Sequence, residues 1–310
     1  YRLERELAAI AATGGLATRI VPVLGDVTDG ARVERVLRAH GVDSVYHAAA
    51  YKHVPMVEAN PAEGVRNNVF GTLAAVRAAL AADVASFVLV STDKAVRPTN
   101  VMGASKRVAE LVLQGLAGRG GGTCLSMVRF GNVLDSSGSV VPLFREQIRT
   151  GGPVTVTDAE VIRYFMTIRE AAQLVLQAGA LAEGGEVFVL DMGEPVRILD
   201  LARRMIRLAG HSVREPDHPE GDVAIEITGL RPGEKLYEEL LIGADASPSR
   251  HPMIMRARER SLDWPVLDKR LALLEARCAA ADAAGIRHQL AGLVDGYEGR
   301  PPAEAATEAP

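Results

Sequence analysis

The sequence predicts an α/β fold: a doubly wound parallel sheet with a small α/β cap. Three observations predict it. Short Val-, Ile- and Leu-rich runs alternate with longer Ala- and Leu-rich stretches of helical spacing. Hydrophobic residues make up 48% of the 310 residues but aromatics only 4%, so the core is one of Ala, Val and Leu. The run Ser86-Phe-Val-Leu-Val-Ser91 is apolar throughout its interior, as expected of a strand covered on both faces.

The elements follow in order. Residues 1–12 read as an amphipathic helix, with Leu3, Leu7 and Ile10 at helical spacing. Thr18–Leu24 reads as a strand ending at Gly25-Asp26. Thr28-Asp29 caps a helix running to about His40. Ser44–Ala48 is a second strand, and a helix over 61–82 follows with Pro61 in its first turn. Ser86–Ser91 is the third strand, Met102–Leu116 a helix, Cys124–Phe130 the fourth strand and Glu186–Leu190 the fifth. Right-handed crossovers place all the strand carboxyl ends on one edge, where ligands bind in such sheets. That edge gathers Asp26, Ala48 to Tyr51, Ser91 to Lys94, and Gly131-Asn132. The expected division is a core over 1–193 with a cap insertion at about 133–165, a cap with terminal helices over 194–297, and a disordered tail over 298–310.

Composition narrows the function. A net charge of −4 argues against a broad nucleic-acid footprint. Cys124 and Cys278 are far apart and in no metal spacing, which fits free thiols in a reducing cytoplasm. No apolar run reaches the roughly 18 residues that a membrane span needs, so no membrane contact is expected from this segment. His53, His211 and His218 have no second ligand at metal spacing, and no metal is expected. The chain opens with Tyr1-Arg-Leu-Glu, which reads as mid-helix, so a fragment of a longer protein is expected. Gly118 and Gly120-Gly-Gly122 follow a helix and precede a strand, the reverse of a dinucleotide loop, and read as a turn.

The informative motif is Ser91-Thr92-Asp93-Lys94 followed by Met102-x-x-x-Lys106. The first group sits at a strand's carboxyl end. Met102 and Lys106 lie one turn apart on one helix face. Either piece alone is ordinary; together, at that edge, they point to a site.

These residues also carry a resemblance. His47-Ala-Ala-Ala-Tyr-Lys-His-Val-Pro-Met-Val-Glu58, Asn67-Asn-Val-Phe-Gly-Thr72, the run Ser91–Arg107, Arg129-Phe-Gly-Asn-Val133, Arg163-Tyr-Phe-Met-Thr-Ile168 and Arg231-Pro-Gly-Glu-Lys235 are similar to the CapD-like polysaccharide biosynthesis proteins. These are extended short-chain dehydrogenases with a Rossmann-type core, and they include UDP-N-acetylglucosamine 4,6-dehydratases. Most short-chain dehydrogenases carry Tyr where Met102 stands, and Met cannot exchange a proton. The larger, membrane-associated branch is similar in carrying Met. The resemblance implies NAD or NADP, with NAD favoured, as a cofactor that is not consumed. It implies a UDP-sugar substrate bound under the cap, a homo-oligomer, and a cytoplasmic location, with membrane helices often preceding this region in longer relatives.

The implied chemistry explains the residue types. Hydride leaves C4 of the sugar, the resulting 4-ketone acidifies the C5 proton, and the C6 hydroxyl departs. The resemblance implies Lys94 as the C5 base, Asp93 as the acid, Thr92 on the 4-hydroxyl, and Lys106 on the cofactor ribose, with Met102 marking the branch. Lys94 must then be neutral and Asp93 protonated, and burial together with a positive nicotinamide is expected to lower the Lys. A water relay through Thr92 and Lys106 is expected to take the 4-hydroxyl proton. Asp26, Val27, Ala48, Ala49, Ala50 and Asn68 are the further cofactor residues implied, with helix capping the competing role of Asp26. Lys52, Asn132, Arg163, Arg231 and Glu234 are the substrate residues implied, Arg suiting a pyrophosphate because its fork donates bidentately. Family members have a Gly-rich loop and two strands before the residue matching Tyr1, so an interruption is expected in the sheet beside Thr18–Leu24. A UDP-sugar 4-epimerase and a non-catalytic NAD(P)-binding scaffold are the rival readings.

Overall fold

The computed structural model describes residues 2–15, 17–119, 121–231, 233–239, 246–257 and 259–300. Its main sheet has six strands in the order Ser44–His47, Ser86–Val90, Cys124–Arg129, Val187–Leu190, Ile254–Ala257, Ala246–Pro248. The first four run parallel and the last two antiparallel. Alternate residues serve opposite faces. Phe87, Leu89, Leu125 and Met127 pack under the helices Thr72–Ala81, Val101–Leu116, Trp264–Ala279 and Ala283–Leu293. Val88, Val128, Phe188 and Leu190 pack under the helix Ile168–Leu181. This is the doubly wound, Rossmann-like arrangement predicted.

Local chemistry sets the helix ends. The Asp29 carboxylate accepts from the Arg32 amide at the start of Gly30–His40. Gly41 ends that helix in the left-handed region, at φ 55°. Asn100 accepts from the Gly103 amide at 2.8 Å to open Val101–Leu116. Thr167 and Glu170 form a reciprocal capping box on Ile168–Leu181. The expected helix over 61–82 is present with a π-helical turn, Arg66–Gly71, between Pro61–Val65 and Thr72–Ala81.

Two expectations need correction. The strand over Thr18–Leu24 does not form. Residues 17–26 pair with no strand, and Leu24 is 91% exposed. A strand exists through its neighbours, and the sheet begins at Ser44–His47, whose other edge is open among the described residues. The six strands pair continuously from that edge, so the gap expected beside Thr18–Leu24 is not found inside the sheet. The helix Arg2–Thr13 forms but buries no residue. The second correction concerns 194–297, which is not a single cap. Residues 246–257 return to the main sheet, and Leu267, Leu271, Leu274, Ile286 and Leu290 join its helical core.

The cap proper has its own core. Phe144, Ile148, Val154, Val156, Ile198, Ile206, Val213 and Val223 pack together around a parallel three-stranded sheet, Val213–Arg214, Val223–Ile227, Val154–Val156. Residues 301–310, most of the expected tail, lie outside the described residues. No helix among the described residues is long and apolar enough to cross a membrane.

Candidate active site

A cavity of roughly 480 Å³ opens between the cap and the carboxyl ends of the strands Ser44–His47 and Ser86–Val90. Such a volume suits a small-molecule site. Thr92, Lys94, Met102, Lys106, Ala48, Ala50, Lys52, Asn132, Arg163, Arg231 and Glu234 all line it.

The floor is the turn after Ser86–Val90. The Asp93 amide donates to Phe130 O at 3.1 Å, which fixes the turn against the neighbouring chain. Thr92 Oγ1 accepts from the Lys94 amide at 3.3 Å and donates to Asp93 Oδ1 at 2.9 Å. Lys94 Nζ donates to the same Oδ1 at 3.0 Å. Asp93 is 1% exposed, and its Oδ2 meets no hydrogen-bond donor among the described residues. An acid and a base therefore stand in contact, the carboxylate buried and the lysine partly exposed at the cavity.

The charge state of Lys94 differs from expectation. Burial pushes its pKa down, but the carboxylates of Asp93 and Glu238 outweigh that, against opposition from Arg163, and the net direction is up. The lysine rests as an ammonium. Glu238, which the motif reading missed, stands with Oε1 3.7 Å from Lys94 Nζ. Its only sequence signal is a carboxylate three positions beyond the Arg231–Lys235 motif.

The helix Val101–Leu116 lies directly over this turn because Gly103 has no side chain. A Cβ there would stand 2.2 Å from Lys94 O. Met102 is 3% exposed and Lys106 5%. Lys106 Nζ donates to Val90 O at 2.7 Å, and burial lowers its pKa to about 8.

Beneath the floor is a buried ion network that motif reading also missed. Arg129 grips Glu110 with Nε at 2.7 Å and Nη2 at 2.6 Å, and reaches Glu259 with Nη1 at 2.6 Å. Arg107 Nη1 joins Glu110 at 3.0 Å, and the Ser91 hydroxyl donates to it at 2.6 Å. Burial raises the Glu110 pKa, but Arg129, Arg107 and Ser91 bring it down to about 2. Glu110 falls four residues after Lys106, the one hint the sequence holds.

Other predicted residues do different work. Asn68 spends its amide on Tyr51 and Ser105: Oδ1 accepts from Tyr51 N, and Nδ2 donates to Tyr51 O and Ser105 Oγ. It clamps the loop after the strand and has no donor left for a cofactor. Arg163 Nη1 donates to Ile162 O and Leu236 O, and Nη2 to Glu234 and Lys235 O. Its terminal hydrogens brace the segment 234–236 while it lines the cavity. Glu234 takes part in that brace and accepts from Thr157 as well. Asp26 is exposed and turns onto Thr28, with the Oγ1 and amide at 2.7 and 2.8 Å; Asp29 takes the capping role. Val27 packs into the helical core against Gly71. Asp26, Val27, Ala49, Asn68 and Asp93 do not line the cavity.

Comparisons with known proteins agree with this architecture. A family model described as polysaccharide biosynthesis protein matches residues 1–259. The capsular polysaccharide biosynthesis protein CapD of Staphylococcus aureus is 53% identical over 250 residues, covering 81% of this chain and 40% of that protein. The chain spans about two fifths of the length of such curated relatives. The UDP-glucose 4-epimerase of Rickettsia rickettsii is 33% identical over 261 residues, 81% of this chain and 73% of that protein. Among solved structures, Pen from Bacillus thuringiensis superposes with a TM-score of 0.71 at 34% identity, covering 84% of this chain and 78% of Pen.

Proposed function

Since the chain belongs to the polysaccharide biosynthesis protein family, we propose that it is an NAD(P)-dependent enzyme acting on a nucleotide sugar. The specific reaction proposed is 4,6-dehydration of UDP-N-acetylglucosamine to UDP-2-acetamido-2,6-dideoxy-4-keto-hexose and water. The observation that carries this reading is the contact between the buried Asp93 carboxylate and Lys94, which lines the cavity. Elimination beside a 4-ketone requires an acid and a base within reach of C6 and C5. A simple exchange of hydride at C4 requires neither.

The floor fits a nicotinamide nucleotide. Lys106 spends one hydrogen on Val90 O and has others to offer a ribose. Ala48 and Ala50 present only methyl groups, so a flat ring can approach the backbone. A nicotinamide held there by Lys106 would supply reversible hydride exchange with the sugar. The chain's own residues do the rest. Thr92 orients the 4-hydroxyl, Asp93 protonates the departing C6 hydroxyl, and Lys94 removes the C5 proton. Met102 walls the site without exchanging a proton, which leaves the 4-hydroxyl proton to a water relay at Thr92 and Lys106. Lys52, Asn132 and Arg231 line the cavity with donors for the UDP.

A 4-epimerase is the second reading, favoured by relatives of that name that match along most of their length. Against it stands Met102, which cannot shuttle the 4-hydroxyl proton as a Tyr would. Product mass decides. Incubated with UDP-N-acetylglucosamine and NAD+, the full natural protein should give a product lighter by one water. An isomer of unchanged mass would establish the epimerase instead, and tight cofactor binding without turnover a scaffold.

A further inference from the structure

We propose that Glu238 is a positioning residue of the acid–base machinery: it takes the proton from the Lys94 ammonium and so turns Lys94 into a base. The proposal rests on the dehydratase reading above. Its ground is geometric. The Glu238 side chain is 5% exposed and lines the cavity. Oε1 lies 3.7 Å from Lys94 Nζ and 4.0 Å from Arg163 Nε, both beyond hydrogen-bond length. Oε2 is buried without a donor among the described residues.

Asp93 is the other carboxylate beside Lys94, and it is held differently. Its Oδ1 accepts from both Lys94 and Thr92. The proton it gives the departing hydroxyl reaches it from the 4-hydroxyl through Thr92, whose Oγ1 already donates to Oδ1. Glu238 has no such commitment. Of the other charged groups nearby, Arg163 faces Glu238, whereas Lys235 turns away to Val96 O at 3.1 Å and Glu234 is held by Arg163, Thr157 and the Arg231 amide.

The step balances. One N–H bond of the Lys94 ammonium breaks, its electron pair stays on Nζ, and an O–H bond forms on Glu238. One cation and one anion become two neutral groups, and nothing is oxidised. Closure of the site by substrate favours the exchange, because two buried charges cost more than two buried dipoles. The neutral Nζ then takes the C5 proton. When C5 is reprotonated, Lys94 gives that proton back, and Glu238 returns its own to Lys94.

The test uses the full natural protein loaded with NAD+, wild type beside Glu238→Gln and Glu238→Asp, with product mass checked first. For Glu238→Gln at neutral pH, kcat should fall roughly 100-fold, the scale of a lost proton-transfer group. KM should stay within about threefold, since the loss lies in the chemical step. The variant's rate should climb with pH as hydroxide discharges Lys94, while the wild type stays flatter. Glu238→Asp should keep part of the rate. A Gln variant as fast as wild type, a loss confined to KM, or a pH profile parallel to wild type overturns the proposal. If the Gln variant no longer binds NAD+, Glu238→Asp decides alone: a steeper rise with pH than wild type supports the relay, and a parallel profile overturns it. A wild type that removes no water sinks the dehydratase reading along with this one; a wild type that removes water beside an unaffected Gln variant sinks this one alone.

Discussion

At the scale of single residues, the buried network under the Thr92–Lys94 turn is costly to break. Glu110 answers two buried arginines and the Ser91 hydroxyl. Glu110→Gln leaves Arg129 and Arg107 with Glu259 as their remaining carboxylate and should cost about 3–5 kcal/mol, the usual cost of breaking a buried pair. A fall in the urea midpoint measures it. The acid limb carries a second signature. The folded carboxyl is held near 2 against an ordinary value of 4.5, so its stabilisation is complete above about 4.5 and is lost as pH falls towards 2. Urea midpoints across that window should drop more steeply in the wild type than in Glu110→Gln. The residues on the cavity floor were legible because they are neighbours in sequence: Thr92, Asp93 and Lys94 share a turn, and Met102 and Lys106 share a helix face. Glu238, Arg129 and Glu110 were not, because their partners are brought to them by the fold. Asn68 reads as a ligand group because hydrogen-bond capacity is visible in a sequence and its expenditure is not.

At the scale of elements, one contact governs how the catalytic helix sits. Val101–Leu116 lies on the Lys94 turn through the bare α-carbon of Gly103. Gly103→Ala should push helix and turn apart, costing about 1–3 kcal/mol as overpacking does. It should also lower turnover more than it lowers the melting temperature would suggest, because the displaced carbonyl is that of the base itself. Thermal melts and initial rates on the same sample check this, and an Ala variant with unchanged rate would count against the contact. The elements themselves were largely legible, since caps such as Asp29, Asn100 and Thr167 are local signals. Thr18–Leu24 was the failure. Its β-branched pattern states a preference, but a strand needs a partner, and the sheet offers none at that edge.

At the scale of the whole molecule, the doubly wound core could be read from alternation alone, whereas the limits of the cap could not. Residues 246–257 and the last two helices rejoin the core after the cap is complete, and no composition shift marks the return. The arrangement seats the floor of the cavity on the core and its roof on the cap, with the Arg129–Glu110–Ser91 tie directly below the floor. That tie has a consequence under heat. The cost of desolvating charges falls as temperature rises, while apolar burial gains little more. The anchor of the acid–base turn therefore weakens more slowly than the aliphatic core around it. Warmed gradually, the protein should lose turnover and backbone circular dichroism at one midpoint, and turnover fading several degrees earlier would show that the floor loosens first.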